Sequence, residues 1–380
     1  MSVDQSVSAA STEAVVTARV RGGALLEGLS AVRPLVLRRA SASTGERGVR
    51  VDFGPDGGVL GVERDGLSVM LRVPEMTAEV EGSVWVSHAD LFTAVRAQSA
   101  RRGARSQVEL ALEVGQEQVS VVGQSSTSMM PVLSALHVNP TQKVVPGTLV
   151  VDRALFAERA AAVAIAAESG DTLPVLEGTR LDAHEMVATD RYRLASMPVT
   201  GTGDLPQVVA PARVLAKVLA ATAGETLSIG TDGEVVSVHA ENLTASLLAR
   251  TGDYPRVASI AKGFGDGPAL RVAAAALREV LAPHARGKNV VALTVTPNGL
   301  EVEVDDGGAQ TLAQARVPVL AQRGETPSVH FNVGYFVDAL KIAGSEHVWL
   351  EIHGPLKPAM VGSNVDPDRY CMIQPVRRAS

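Results

Sequence analysis

One short pattern recurs about six times along the chain, at a period of roughly 60 residues. Each copy is an apolar, strand-like run followed by a helix with one apolar stripe. The pattern is clearest at residues 207–222, where the run ends at Pro211 and Leu215, Val218 and Leu219 fall at helical spacing. It returns at 84–96, with Leu91, Phe92 and Val95 as the stripe, and at 149–161, where Leu155 and Phe156 begin it. Further copies lie at 270–282 and 329–341, and a looser one opens the chain at 15–30. Neither a single layered sheet nor a lone helical bundle repeats in this way. The chain has to be an array of similar units.

Alternating segments at 48–54, 58–63 and 67–74, separated by Gly-rich turns such as Arg64, Asp65 and Gly66, read as antiparallel strands between the helices. Pro140 with the Pro146 and Gly147 pair, and the run from Gly263 to Pro268, read as boundaries. Residues 2–12 read as a mobile tail. The expected architecture is α+β: three tandem similar domains at 13–141, 142–264 and 265–380. Each is a unit of about 120 residues with two helices side by side on antiparallel sheets. An array of like joints that keeps turning either closes on itself or propagates.

Composition places the chain among globular proteins, with 46% hydrophobic and 20% charged residues over 380 positions. Cys371 is the single cysteine, and no Cys/His cluster has zinc-ligand spacing, so the chain reads as reduced, intracellular and metal-free. Cys371 itself reads as a small buried apolar residue. The first residues lack the basic start and apolar core of an export signal, and no apolar run reaches the ~20 residues of a membrane span. A cytoplasmic protein is expected.

The net charge of −6 argues against a general nucleic-acid coat, but its distribution is uneven. Arg213 and Lys217 stand one turn apart on a helix without acids. The helix containing Asp90 is expected to run through Arg96 to Arg101, Arg102 and Arg105, while acids crowd 108–119 and 300–307. Basic helices inside an acidic shell are one reading, and solvated faces of mixed charge are the other.

No catalytic constellation emerges: there is no G-x-S-x-G elbow and no H-E-x-x-H motif. His88, His137, His184 and His284 lack carboxylate partners at diagnostic spacing and read as surface or capping residues. Asp190 reads as a turn residue accepting backbone N–H bonds.

The segment from Ala188 to Ser196 resembles the A-T-D-x-x-R-L-A signature of bacterial sliding clamps, the beta subunit of DNA polymerase III. The Gly252 to Pro255 segment resembles the family's G-x-[YF]-P, and Phe331 to Leu340 resembles F-N-x-x-Y-x-x-D-x-L. Pro355 to Pro358 resembles P-L-K-P, and Pro375 to Arg377 the closing P-x-R. The resemblance implies the DNA clamp fold, with two subunits head to tail in a closed ring that encircles duplex DNA and tethers the polymerase. It implies no catalysis and no cofactor. The implied partners are double-stranded DNA, the DNA polymerase III alpha subunit, the clamp loader and other proteins with a clamp-binding motif.

The resemblance places a partner-peptide pocket at Leu176, Thr189, Arg191, Tyr192, Arg193, Leu194, Pro255, Asn332, Tyr335, Met360, Gln374, Pro375, Val376 and Arg377. Arg33 matches a family arginine at the edge of the hole, and Arg96, Arg213 and Lys217 are DNA-facing candidates from charge placement. The family has Gly where Arg191 stands and an apolar residue where Gln374 stands. The chain also runs on past Arg377, is shortened after Pro255, where Arg256 or Ser259 takes a polar position, and has an unusual first unit. These departures suggest a divergent paralogue. A specialised clamp that resists a clamp-directed inhibitor, or a regulator not loaded on DNA, is the second reading.

Overall fold

The computed structural model describes residues 15–36, 47–99, 107–134, 143–170, 173–257, 264–308 and 310–377. All six copies of the recurring pattern fold as a strand running directly into a helix. The helices are α1 (Gly22–Val32), α2 (His88–Gln98), α3 (Arg153–Val163), α4 (Ala212–Ala220), α5 (Ala274–Leu281) and α6 (Val333–Ala343). The strand-to-helix corner is often fixed by a side chain that accepts a backbone N–H of the first turn. Ser87 accepts from Asp90 at 3.3 Å, Asp152 from Leu155 at 2.7 Å and Asn332 from Tyr335 at 3.0 Å.

By packing, the chain divides into two compact units. The first takes the chain up to Val144 with Ala220–Gly224 and Val238–Ser246, and the second takes the remainder. In the first, strands Thr77–Ala78, Val16–Arg21, Glu109–Val114, Gln118–Val122 and Thr127–Pro131 form a five-stranded antiparallel sheet in that order. A second run orders Gly82–Ser87, Gly48–Gly54, Gly57–Arg64 and Leu67–Val73. Helices α1 and α2 pack against each other, and Leu25, Leu29 and Val32 of α1 are fully buried. Gly28 lets α1 lie close on the strands Gly57–Arg64 and Leu67–Val73: a Cβ there would sit 3.1 Å from Leu60 and 3.3 Å from Leu71. The acids Glu109, Glu113, Glu301 and Glu303 all lie at exposed positions alternating with buried ones, as charged residues on a half-solvated sheet should.

In the second unit one nine-stranded antiparallel sheet carries two copies of the repeat. Its order is Val208–Pro211, Gly178–Leu181, Glu185–Thr189, Arg193–Pro198, Tyr370–Ile373, Ala359–Ser363, His347–Ile352, Ala269–Ala273 and Val319–Arg323. The join is the pairing of Arg193–Pro198 with Tyr370–Ile373, in the register Arg193 to Ile373, Leu194 to Met372, Ala195 to Cys371 and Ser196 to Tyr370. Ion pairs cross the same join. Arg159 on α3 binds Asp366 at 3.0 Å, and Arg369 grips Glu158 at 2.7 and 3.0 Å. A four-stranded sheet, Thr311–Val317, Gly299–Asp305, Val290–Thr296 and Val329–Asn332, covers the rest of the C-terminal part.

Several expectations change. Leu155 does not belong to an apolar stripe: it is 39% exposed, and α3 buries Phe156, Ala160 and Val163 instead. His88 is not a surface residue. It is buried at the start of α2, with Nε2 donating to the Leu29 carbonyl at 2.8 Å. Helix α2 is described to Gln98, and Arg101, Arg102, Arg105, His137, Ser259, the stretch after Arg377 and residues 2–12 lie outside the described residues. No described helix is long and apolar enough to cross a membrane.

Cys371 is fully buried in the joining strand, and burial pushes its thiol up from 9.0 to about 12. A thiolate is therefore far easier to form in the unfolded chain than in the folded one. The folded pKa lies above the unfolded one, so this contribution to stability is complete below pH 9.0 and is lost as pH rises toward about 12. Cys371→Ala is expected to flatten the stability decline over that alkaline window, measured by urea melts at stepped pH. An identical decline in both proteins would assign the alkaline loss to other groups.

Candidate binding sites

The turn at 189–193 is built around Asp190. Its Oδ1 accepts the N–H groups of Tyr192 at 3.0 Å and Arg193 at 2.9 Å, as the sequence suggested, although the preceding strand runs on to Thr189. Its Oδ2 accepts from Arg193 Nε at 3.0 Å. Thr189 closes the turn by donating to the Arg193 carbonyl at 2.7 Å. The Arg193 guanidinium also pairs with Asp338 of α6 and lies over the Tyr335 ring, 4.7 Å from its centroid. Burial works against the charged guanidinium, but Asp190 and Asp338 outweigh it and hold the Arg193 pKa above its ordinary value. Tyr192 stacks on Tyr335 with centroids 6.0 Å apart.

Beside this turn is a cavity of about 130 Å³, lined by Thr189, Arg191, Tyr192, Arg193, Leu194, Pro255, Val257, Pro358, Met372, Ile373 and Gln374. It is smaller than the pockets of about 300–1,000 Å³ that enclose whole small molecules, and suits one anchoring side chain. Under it, Val187, Leu194, Val257 and Met372 form an apolar cluster, with Phe264, Met360 and Tyr370 packed against it. Tyr254 ties the overlying segment down through a hydrogen bond to the Val187 carbonyl at 3.1 Å, and burial raises its pKa.

Seven of the sequence-predicted residues line this cavity: Thr189, Arg191, Tyr192, Arg193, Leu194, Pro255 and Gln374. The others are not among its lining residues. Met360 belongs to the apolar cluster, Tyr335 supports Tyr192 and Arg193, and Asn332 caps α6. Val376 donates its N–H to the His330 carbonyl at 2.8 Å, with Pro375 half-buried and Arg377 exposed beside it. Leu176 is buried in the 3-10 turn Pro174–Glu177. Sequence reasoning missed Val257, Pro358, Met372 and Ile373, of which Pro358 stands in the P-L-K-P segment and was within reach.

A second concavity, of about 620 Å³, lies in the first unit, where Arg33, Arg47 and Arg96 converge around Phe92, Ser87 and Thr93. Arg33 follows the last turn of α1 and stands over Phe92, 5.6 Å from the ring centroid. Among the described residues no carboxylate lines it. In the second unit Arg213 is partly committed elsewhere, since it donates to the carbonyls of Glu168 at 2.8 Å and Ala167 at 3.0 Å. Lys217, one turn on, is exposed.

Solved structures place this arrangement. The chain superposes on the beta subunit of DNA polymerase from Streptococcus pyogenes with a TM-score of 0.82 at 16% identity, covering 95% of this chain and 100% of that one. It superposes on the DNA polymerase sliding clamp of Bacillus subtilis with a TM-score of 0.81 at 16% identity, covering 96% and 100%. The chain has the DNA-clamp fold. By sequence it is 28% identical over 248 residues to a beta sliding clamp of Streptomyces coelicolor, which is 59% of this chain and 65% of that protein. It is 32% identical over 123 residues to a beta sliding clamp of Micrococcus luteus, 29% and 39%. The chain thus matches less than two thirds of the length of each of these curated relatives. No protein-family model matches it. In the clamp fold found here, the strand-to-helix repeats recognised in the sequence are the units of construction.

Proposed function

We propose that the protein is a sliding clamp: a homodimer, head to tail, that closes a ring around duplex DNA and holds a replicative DNA polymerase and other partners on it. The observation that carries this reading is the clamp fold over nearly the whole chain, matched at 100% coverage of two solved clamps. The three-domain division at 13–141, 142–264 and 265–380 follows the helix pairs α1 with α2, α3 with α4 and α5 with α6. The cavity between Leu194, Pro255 and Met372 is the docking place for a short apolar motif of the polymerase alpha subunit, the clamp loader or a repair protein. DNA is held by enclosure, with few phosphate contacts from Arg33, Arg96, Arg213 and Lys217, because strong ones would stop sliding. The ring needs no chemistry of its own and acts as a processivity subunit.

The decisive experiment loads the purified protein onto nicked circular DNA with a clamp loader and then cuts the circle. Protein that stays with the circle through gel filtration and leaves when the DNA is linearised is held topologically. Retention unaffected by linearisation would mean ordinary binding and defeat the ring. A monomer by sedimentation at micromolar concentration would defeat it too.

A further inference from the structure

Two non-glycine residues among those described hold a left-handed backbone, Glu75 at φ 61° and Arg191 at φ 77°. An L-residue resists this conformation because its Cβ crowds the following carbonyl, and glycine adopts it freely. Where such strain persists, the surroundings or the side chain's role maintain it. Glu75 has its role within the chain, in an ion pair with Arg21 at 2.6 Å. Arg191 is different. Its backbone N–H donates to Thr189 Oγ1 at 3.1 Å, but its guanidinium has no hydrogen-bond or ion-pair partner among the described residues, and the side chain lines the cavity.

The charge around that cavity is one-sided. Among the described residues no carboxylate lines it, and the adjacent Asp190 is 8% exposed with both oxygens engaged by the 190–193 turn. Arg193 is neutralised by Asp190 and Asp338, which leaves Arg191, among the described lining residues, as the cation without a counter-charge at the mouth. The walls beneath are apolar: Leu194, Pro255, Val257 and Met372.

We infer that Arg191 makes this cavity selective for a partner peptide that carries a carboxylate beside its apolar anchor. The anchor fills the space between Leu194 and Met372, and the carboxylate pairs with the guanidinium at the rim. The stem of Arg191 packs along the cavity edge while its head stays in water, so the apolar anchor can still enter. This inference rests on reading the cavity as the partner site. A nucleic-acid strand offers phosphates to Arg191 as well, but no aliphatic or aromatic side chain for the apolar walls.

The test uses the full-length protein and two fluorescein-labelled hexapeptides with adjacent Leu and Phe anchors, flanked by either Asp or Asn, read by anisotropy. The Asp peptide is expected to bind about threefold more tightly at low salt, the range of an exposed ion pair. The difference should close in roughly 0.5 M salt. It should also vanish in Arg191→Gln and survive in Arg191→Lys. Arg191→Gly should remove it while raising the thermal midpoint, which separates the side chain's role from misfolding. Equal affinity of the two peptides for the wild type overturns the charge selectivity while leaving the partner site standing. Failure of both peptides to bind overturns the partner site and the selectivity together. Displacement of the Asp peptide by a single-stranded oligonucleotide, abolished in Arg191→Gln, would assign the cation to nucleic acid and overturn the inference as well.

Discussion

Replacing Arg193 with methionine is expected to destabilise the protein by about 3–5 kcal/mol, the range for removing one partner of a buried ion pair. The side chain is 11% exposed and Asp190 is 8% exposed, so methionine would leave the Asp190 Oδ2 facing an apolar group instead of a guanidinium. Asp338, 26% exposed, would lose its partner on the neighbouring repeat and keep its pair with Lys341 at 3.0 Å. Tyr335 would lose the cation over its ring. Equilibrium urea unfolding measures the cost, and a loss below about 1 kcal/mol would show that water reaches the network and screens it. The same variant should lose affinity for an apolar partner peptide, because the turn from Thr189 to Arg193 shapes the cavity wall.

The second large effect is expected at Glu351. This carboxylate is 3% exposed and gathers five contacts. It accepts from the Gly265 N–H at 3.1 and 3.0 Å, from the Gly267 N–H at 3.1 Å and from Arg323 at 3.4 Å, and lies 2.7 Å from His353 Nε2. Together these fasten the connecting segment onto the C-terminal part of the sheet. Glu351→Leu keeps the bulk but strands two backbone donors and two side-chain donors. With charge-assisted bonds worth about 1.5–3 kcal/mol each, a loss of about 3–5 kcal/mol is expected. Glu351→Gln, which can still accept from one glycine, should lose less. Calorimetric melting of both variants checks the order, and an equal loss would mean that negative charge rather than acceptor geometry holds the loop. Gly267→Ala offers a steric control, since a Cβ there would come within 2.3 Å of the His353 ring and 2.7 Å of Glu351 Oε1.

The repeats were legible because each helix must bury one stripe, and stripes at helical spacing survive large sequence change. Leu215, Val218 and Leu219 were read from spacing and all are buried. Leu155 misled because a stripe begun by two adjacent apolar residues has an ambiguous phase, and only packing chose Phe156 over its neighbour. His88 was opaque for another reason. Its partner is a carbonyl 59 residues away on α1, and no local pattern announces a long-range side-chain bond. Arg213 is the same kind of case, its guanidinium held by carbonyls 45 and 46 residues back.

The cavity was half legible. Thr189, Tyr192, Arg193 and Leu194 came from a motif whose Asp190 dictates a turn, and turns are local. Met372 and Ile373 were not flagged, because a run such as Tyr370–Ile373 reads as core from its composition. Only its pairing beside Arg193–Pro198 brings Met372 opposite Leu194 and into the cavity wall. Gln374 and Arg191 were noticed as departures from a family pattern. The left-handed backbone at Arg191 gives that departure a physical meaning.

The strand pairing that joins Arg193–Pro198 to Tyr370–Ile373 also governs how the second unit comes apart. A hinge between globules would let one melt while the other persisted, and each would have its own midpoint. Here four residue pairs of main chain are zipped across the boundary, with Cys371 sealed in the middle and Arg159 and Arg369 fastened at the flank. Opening that boundary exposes the Cys371 side of the sheet in both repeats at once. Amides on either side, from Ala195 to Cys371, should therefore exchange with solvent at one common rate, as a single cooperative block rather than two.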